Sequence, residues 1–387
     1  MTNADCVKVF APGRICLFGE HQDFLGLPVI AGAIDLGIEI SGVPRKDTVF
    51  HFEMPDVGQR DEFDGAEELR YSHQRDYLRA AVNLLRRRGL NVTRGYDCTV
   101  RGTLPVGAGA GGSSALVVAW ITFLLATQAA SNNPHTRMRA TPEEIAAYAY
   151  QAEVAEFGEP GGMMDHFTAA LGGLLYMQFT DPPIIERLPA QLDGLVLGDT
   201  LVPKETVGTL RESRKAAVSG FQMLAQHVDT FDIKQTPFEK AEPFLPQMPP
   251  EMSRRVRAHF VNRDLCSDAR AMLKSRSFDR RRLGEMLVEH HRQLAEGIGV
   301  SHPMLDTLLN ASLVAGALGG KLNGSGRGGT MFAYAPGRQQ EVKAAIDRAG
   351  GRACVTTIST GVTVQTPQPG HRSSEGHPDQ SQTLPPE

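Results

Sequence analysis

A chain of 387 residues, 41% hydrophobic and 22% charged, has room for two domains with buried cores. Its formal net charge of -4 excludes a bulk attraction to nucleic acid or anionic membrane. No uncharged apolar run reaches the roughly 18 residues that a membrane-crossing helix needs. The five cysteines (Cys6, Cys16, Cys98, Cys266, Cys354) are scattered without a Cys-x-x-Cys pair, which argues against a disulfide framework or a zinc site. Reduced thiols, and residues 1–5 without a basic-then-apolar signal pattern, lead to an expected cytoplasmic location.

The pattern predicts a first strand over residues 7–10, a break at Ala11-Pro12-Gly13, and resumed extended structure over 14–18. A polar loop follows over 19–23. Residues 29–34, 37–40 and 48–52 are strand candidates, rich in β-branched side chains. Residues 76–88 have helical periodicity: Tyr77, Leu78, Ala81, Leu84 and Leu85 share a face, arginines lie opposite, and Gly89 stops the helix. Residues 96–100 form a strand that leads into Leu104-Pro105-Val106-Gly107-Ala108-Gly109-Ala110-Gly111-Gly112-Ser113-Ser114.

That stretch packs four glycines into six positions, then two serines, then an apolar run over 115–121 that reads as a core helix. Glycines expose backbone N–H groups with no Cβ in the way, and a helix N-terminus adds partial positive charge. The combination suits a polyphosphate, and the serines can cap the helix or offer a hydroxyl to Mg²⁺. No Gly-Lys-Ser/Thr closes the loop, so it is not a Walker loop. It also lacks the context of a dinucleotide fingerprint. Taken alone, it has a plainer explanation as a flexible Gly/Ser connector.

Residues 131–135 are polar. Thr141, Pro142 and Glu144 form a strong helix start, with the helix expected to run to about 156. Residues 158–162 break it, residues 163–167 open another segment, and 172–177 read as turn plus strand. Residues 195–199 are a strand ending in an acid. A mostly helical region spans 205–315, with a proline-rich connector at 243–250. A second glycine cluster at 323–329 precedes a strand at 330–334, a helix at 341–349 and a last strand at 361–364. From about 366 the composition turns to Pro, Gly, Ser, Gln and charge, a disordered tail by expectation.

Several separated stretches now agree. Ala11-Pro12-Gly13-Arg14 through Gly19-Glu20-His21-Gln22-Asp23-Phe24 resembles the first motif of the GHMP kinases, and within them the galactokinase signature. Residues 104–116 resemble the family's central phosphate loop, and residues 321–330 its C-terminal glycine motif. Gln151-Ala152-Glu153, with Gly158, Pro160 and Gly162-Met163-Met164-Asp165, is similar in spacing to the galactokinase segment ending in Met-Asp-Gln. Residues 301–306 agree more weakly. The resemblance covers about residues 7–365. It implies an α+β, two-domain GHMP kinase fold with the active site between the domains. A ribosomal S5-like N-terminal domain would occupy residues 1–185 and a ferredoxin-like C-terminal domain 186–365, with 366–387 as the tail.

The resemblance also implies roles. Phosphoryl transfer needs positioning, charge neutralisation and an oriented nucleophile. ATP phosphates would lie in the loop of Gly107, Ala108, Gly109, Ala110, Gly111, Gly112, Ser113 and Ser114. Ser113 and Glu153 would be the Mg²⁺ ligands, Asp165 the catalytic base and Arg14 its cationic partner. Glu20, His21 and Asp23, with Asp165, would hold sugar hydroxyls. Plainer explanations exist for each residue alone: helix caps for Ser113 and Asp165, a surface salt bridge for Arg14, a solvated helix face for Glu153, a packed ring for Tyr77.

The chain departs from the galactokinase pattern in its sugar half. Phe24-Leu25-Gly26 replaces Tyr-Asn-Gly, Cys16 replaces an asparagine, His166 stands where glutamine is typical, and Gly111-Gly112 replace serines. A pocket that loses hydroxyl partners discriminates differently. The expectation is therefore a kinase of the anomeric hydroxyl of galactose or a related sugar: a uronic acid, amino sugar, pentose or heptose. A mevalonate-type kinase and a non-catalytic ATP/sugar sensor are the alternatives; an acid at Asp23 argues against the first. The protein would act as a monomer or homodimer on a small molecule, with no nucleic-acid or membrane partner.

Overall fold

The structure, a computed structural model, describes residues 6–129, 140–204 and 206–366. The polar stretch at 131–135 and the expected tail beyond 366 lie outside the described residues. The fold is the α+β, two-domain arrangement, built on two sheets.

Strand β1 (Val7–Phe18) runs antiparallel to β2 (Val29–Pro44). The expected break at Ala11-Pro12-Gly13 is instead a shift of register between Pro12 and Arg14 inside one continuous strand. A bulge of this kind re-aims the side chains that follow it. Gly13 is needed here: a Cβ would lie 2.6 Å from the Leu104 side chain and 2.7 Å from the Ala110 carbonyl oxygen. That close approach lets the Arg14 N–H donate to the Ala110 carbonyl at 2.9 Å, joining the first motif to the phosphate loop. The two candidates at 29–34 and 37–40 are likewise one strand, β2.

The first sheet continues through β3 (Val49–Met54), β4 (Gln59–Asp64) and β5 (Tyr96–Gly102), with β3 and β5 parallel. Strand β4 escapes the sequence pattern because only Phe63 in it is buried; it is a polar edge strand. Strands β6 (Leu174–Gln178) and β7 (Ile184–Arg187) attach through β2, and the last strand, β12 (Thr363–Gln365), returns to pair with β1. Helix α1 (Tyr77–Arg87) is capped by Asp76. Helix α2 (Gly112–Ala129) is apolar all round and packs on β1 and β2, as a fully buried helix must. Its Trp120 is wholly buried against Phe50, Phe52 and Phe123, and its indole N–H donates to the Leu78 carbonyl at 3.0 Å. Helix α3 (Pro142–Tyr150) begins with the expected capping box at Thr141 and Glu144. It passes into a π-helical turn, Gln151–Ala155, and α4 (Met164–Leu171) follows.

The second sheet joins β11 (Arg352–Thr356), β8 (Leu195–Asp199), β10 (Thr330–Tyr334) and β9 (Gly319–Asn323), all antiparallel. Helices α9 (Pro303–Val314) and α10 (Gln339–Arg348) pack on it. Between its first two strands in sequence lie α5 (Thr206–Ala225), α6 (Phe238–Ala241), α7 (Pro250–Leu273) and α8 (Arg280–Arg292), the expected helical region. One apolar cluster spans both sheets, from Ile15, Leu17 and Phe18 to Leu195, Phe332 and Tyr334. Shared burial of this kind fixes the two sheets relative to each other, and with them the cleft they enclose.

Candidate active site

The cleft is a cavity of about 450 Å³ where the end of β1 and the turn after it, the phosphate loop, the N-terminus of α4 and the loop before α5 meet. Its floor is an ion pair. The Arg14 guanidinium donates to both Asp165 oxygens, Nε at 2.7 Å and Nη2 at 3.0 Å, and its Nη1 donates to the Gly109 carbonyl. Arg14 is buried, whereas the Asp165 side chain keeps 25% exposure and faces the cavity. Burial opposes the Arg14 charge, but Asp165 and Glu20 outweigh it and hold the guanidinium firmly protonated. The first turn of α4 is also a favourable place for the Asp165 carboxylate.

The phosphate loop takes its shape from left-handed glycines: Gly107 at φ 65, Gly109 at φ 90 and Gly111 at φ 77. The second glycine motif braces it from below. Asn323 accepts from the Cys16 N–H at 2.9 Å and donates to the carbonyls of Arg14 and Gly109, each at 3.3 Å. Thr330 N–H donates to the Ala108 carbonyl at 2.7 Å. A Cβ on Gly324 would lie 2.6 Å from the Gly109 oxygen, so this glycine permits backbone-to-backbone contact between the two motifs.

Glu153 lies in the π-helical turn and is buried beside the start of α2. Burial would raise its carboxyl, but His166 and the hydroxyls of Ser113 and Ser114 outweigh it and hold it below the ordinary value. Ser113 is exposed at the mouth of the loop and Ser114 is buried. One carboxylate with two hydroxyls is an oxygen donor set that could take a hard cation shared with phosphate oxygens. Among the described residues no cluster of three His, Cys, Asp or Glu makes a self-sufficient metal cage.

At the acceptor end the predicted residues converge, yet several are already occupied. Glu20 accepts from the buried Lys321 ammonium and, at 2.8 Å, from the Gly324 N–H. His21 uses both ring nitrogens, toward the Ser213 hydroxyl at 3.0 Å and the Ser325 carbonyl at 3.1 Å. Burial pulls His21 down to about 4, so at neutral pH it is an uncharged bridge. Asp23 accepts the Phe24 N–H at 2.9 Å on Oδ1. Burial, then the neighbouring Asp165, push it up to about 6. Of these three, Asp23 alone is not fully buried, and it opens onto the cavity.

Family models match in three places: GHMP kinases N terminal domain over residues 76–173, GHMP kinases C terminal over 270–352, and galactokinase galactose-binding signature over 2–43. A mevalonate kinase of Thermococcus sibiricus is 30% identical over 365 residues, covering 91% of this chain and 96% of that protein. The chain belongs to the GHMP kinases. It is an ATP-dependent phosphotransferase. A galactokinase of Pasteurella multocida is 28% identical over 342 residues, 85% of each chain. Among solved structures, Lactococcus lactis galactokinase complexed with galactose matches with a TM-score of 0.77 at 20% identity, over 92% of this chain and 95% of that one.

This kinase places Arg14, Glu20, His21, Asp23, Glu153, Asp165, Ser113, Ser114 and all the loop residues except Ala110 on the cavity wall. Ala110 contributes its carbonyl behind the wall, to the Arg14 N–H. Sequence reasoning missed Lys204. Its ammonium lines the cavity, donates to the Ser325 hydroxyl at 3.1 Å and stands over Gly109. Burial, then Arg14, pull it down to about 8. A single lysine at a loop–helix boundary carries no local signature. The apolar wall of Ile38, Met54, Val57, Val100 and Val106 was missed for the same reason. Tyr77 lines the cavity too, with its hydroxyl donating to Glu159, which also pairs with Arg75. Among the described residues no helix is long and apolar enough to cross a membrane.

Proposed function

We propose that this kinase phosphorylates the anomeric hydroxyl of galactose or a related sugar. The observation that carries the reading is that Asp23 and Asp165 open onto one cavity beside the phosphate loop, within the stretch that matches a galactose-binding signature for Asp23. Asp165 accepts the proton of the attacking hydroxyl. Arg14, bidentate on that carboxylate, holds it aimed at the cavity, and its charge faces the oxygens of the transferring group. The loop 107–114 holds the ATP phosphates on backbone N–H groups at the start of α2. The apolar wall takes the base. Ser113 and Glu153 would hold Mg²⁺, which when bound neutralises phosphate charge.

A second reading is an acidic acceptor: a uronic acid at the charged end of the sugar range, or a non-sugar acid of the mevalonate type, against which the acid at Asp23 argues. Lys204 favours this reading, because its ammonium faces the cavity and, among the described residues, the Ser325 hydroxyl is its only side-chain hydrogen-bond partner. ADP release from MgATP against galactose, glucose, galacturonate, glucuronate, arabinose, amino sugars, heptoses and mevalonate tests both. A response to a neutral hexose supports the first reading, and one confined to acids replaces it with the second. Silence across the panel overturns both.

A further inference from the structure

The proton and phosphoryl transfers make no direct use of one buried contact in the site, the one between His166 and Glu153. The His166 Nε2–H donates to Glu153 Oε2 at 2.7 Å, with the two side chains only 2% and 8% exposed. The direction is fixed, because an ionised carboxylate only accepts. The other ring nitrogen, Nδ1, is buried with no hydrogen-bond partner among the described residues. Tyr150 meets the ring edge-on at 5.7 Å. The imidazole is therefore held by packing and serves one polar group, Glu153. A ring kept for packing alone would not need that orientation.

Two features make the contact consequential. Glu153 sits in a π-helical turn, where the backbone departs from regular α geometry and a side chain's aim is not set by helix periodicity alone. His166 follows Asp165 directly on α4, and successive helical residues point about 100° apart. One turn of helix thus sends Asp165 to the cavity and Arg14, and His166 to Glu153.

We propose that His166 is a positioning residue that pins Oε2 of Glu153, leaving the rest of the carboxylate turned toward Ser113, Ser114 and the metal–nucleotide complex. The proposal rests on Glu153 being a ligand of the nucleotide-bound cation. Partners of this kind, one bond removed from a ligand, change metal affinity by about 10–100-fold when lost.

The test is the affinity of Mn²⁺ for the enzyme–ADP complex, read from the electron paramagnetic resonance signal of free Mn²⁺. The full chain is compared with His166→Phe, His166→Asn, His166→Gln and Glu153→Gln. Glutamine can offer its amide N–H where Nε2 stood, whereas asparagine can offer one only near Nδ1. We expect His166→Phe and His166→Asn to weaken Mn²⁺ binding by at least about tenfold. ADP affinity in chelator stays unchanged, and His166→Gln stays within about twofold of the parent. If Glu153→Gln weakens Mn²⁺ but the Phe and Asn variants do not, the role of His166 is overturned alone. If Glu153→Gln also has no effect, the metal role of Glu153 falls first. Failure of His166→Gln to restore affinity shows that the donated hydrogen bond is not what matters. Should the Phe variant not fold, the polar Asn and Gln variants decide.

Discussion

The two ends of the cavity are built by different means. The phosphate end is backbone: left-handed glycines, the start of α2, and a second glycine motif that touches the first through carbonyls and N–H groups. The acceptor end is side chain: Glu20, His21 and Asp23 from the turn after β1, Asp165 from α4, Lys204 from the loop before α5 and Ser325 from the second motif. Backbone recognition tolerates little change, because Gly107, Gly109 and Gly111 hold left-handed backbone and Gly324 lies against the Gly109 carbonyl. Side-chain recognition can be rewired, since one residue's role depends on which partners have already claimed its polar atoms. Glu20 and His21 illustrate this, for both are in place and both are engaged within the protein.

Four substitutions break or sharpen that contrast. The largest effect falls where the two ends meet. Asp165→Asn should lower kcat by about 10³-fold, the scale of a lost general base, while MgADP affinity by calorimetry stays near the parent value. Retained turnover would remove Asp165 from the proposed chemistry. At the phosphate end, Gly109→Ala forces a side chain into φ 90 and puts its Cβ 2.3 Å from the Lys204 ammonium. The left-handed penalty of about 1–2 kcal/mol, before any clash, predicts a KM for ATP raised by about tenfold or more. An unchanged KM would mean that the loop does not hold the phosphates.

At the acceptor end, Lys204→Met separates the two substrate readings. For an acidic acceptor KM should rise about tenfold, as expected for one charge-assisted hydrogen bond. For a neutral sugar the acceptor KM should stay within about twofold. The smallest effect is a pH dependence. Asp23 is raised to about 6 in the folded state, above its ordinary value. Asp23 therefore binds the extra proton in the folded state between pH 4 and 6, and its contribution to stability falls as pH rises through that window. Asp23→Asn should flatten this limb and raise apo stability at pH 7 by about 1 kcal/mol, discounted for partial exposure. Urea unfolding at pH 4, 5.5 and 7 measures it. An Asp23→Asn variant whose stability changes with pH just as the parent's does would contradict the burial of Asp23.

Much of the fold was legible because it is local. The capping box at Thr141 and Glu144, the Asp76 cap and the apolar run of α2 are written in neighbouring residues. Strand continuity was less so. Pro12-Gly13 reads as a break, yet β1 runs through it, because β2 pairs on both sides and the loss is one shifted register. Edge strand β4 offers a single buried apolar residue and so no alternation to detect.

The sequence by itself carried the family: its separated motifs at 11–24, 104–116, 151–165 and 321–330 resemble those of the GHMP kinases in order, and family models match the same chain. It also singled out Asp165, Arg14 and the loop 107–114 as candidates, because each sits inside a motif, and the structure brings all three to one cavity. What only the tertiary structure decided is which polar atoms stay available to a ligand. Lys321 meets Glu20 across 301 residues, Ser325 meets His21 across 304, and Asn323 joins Cys16 across 307. Such contacts depend on packing two sheets around one apolar cluster, and no local pattern encodes them. The same packing brings Lys204 to the cavity, and with it the question of whether the acceptor carries a charge.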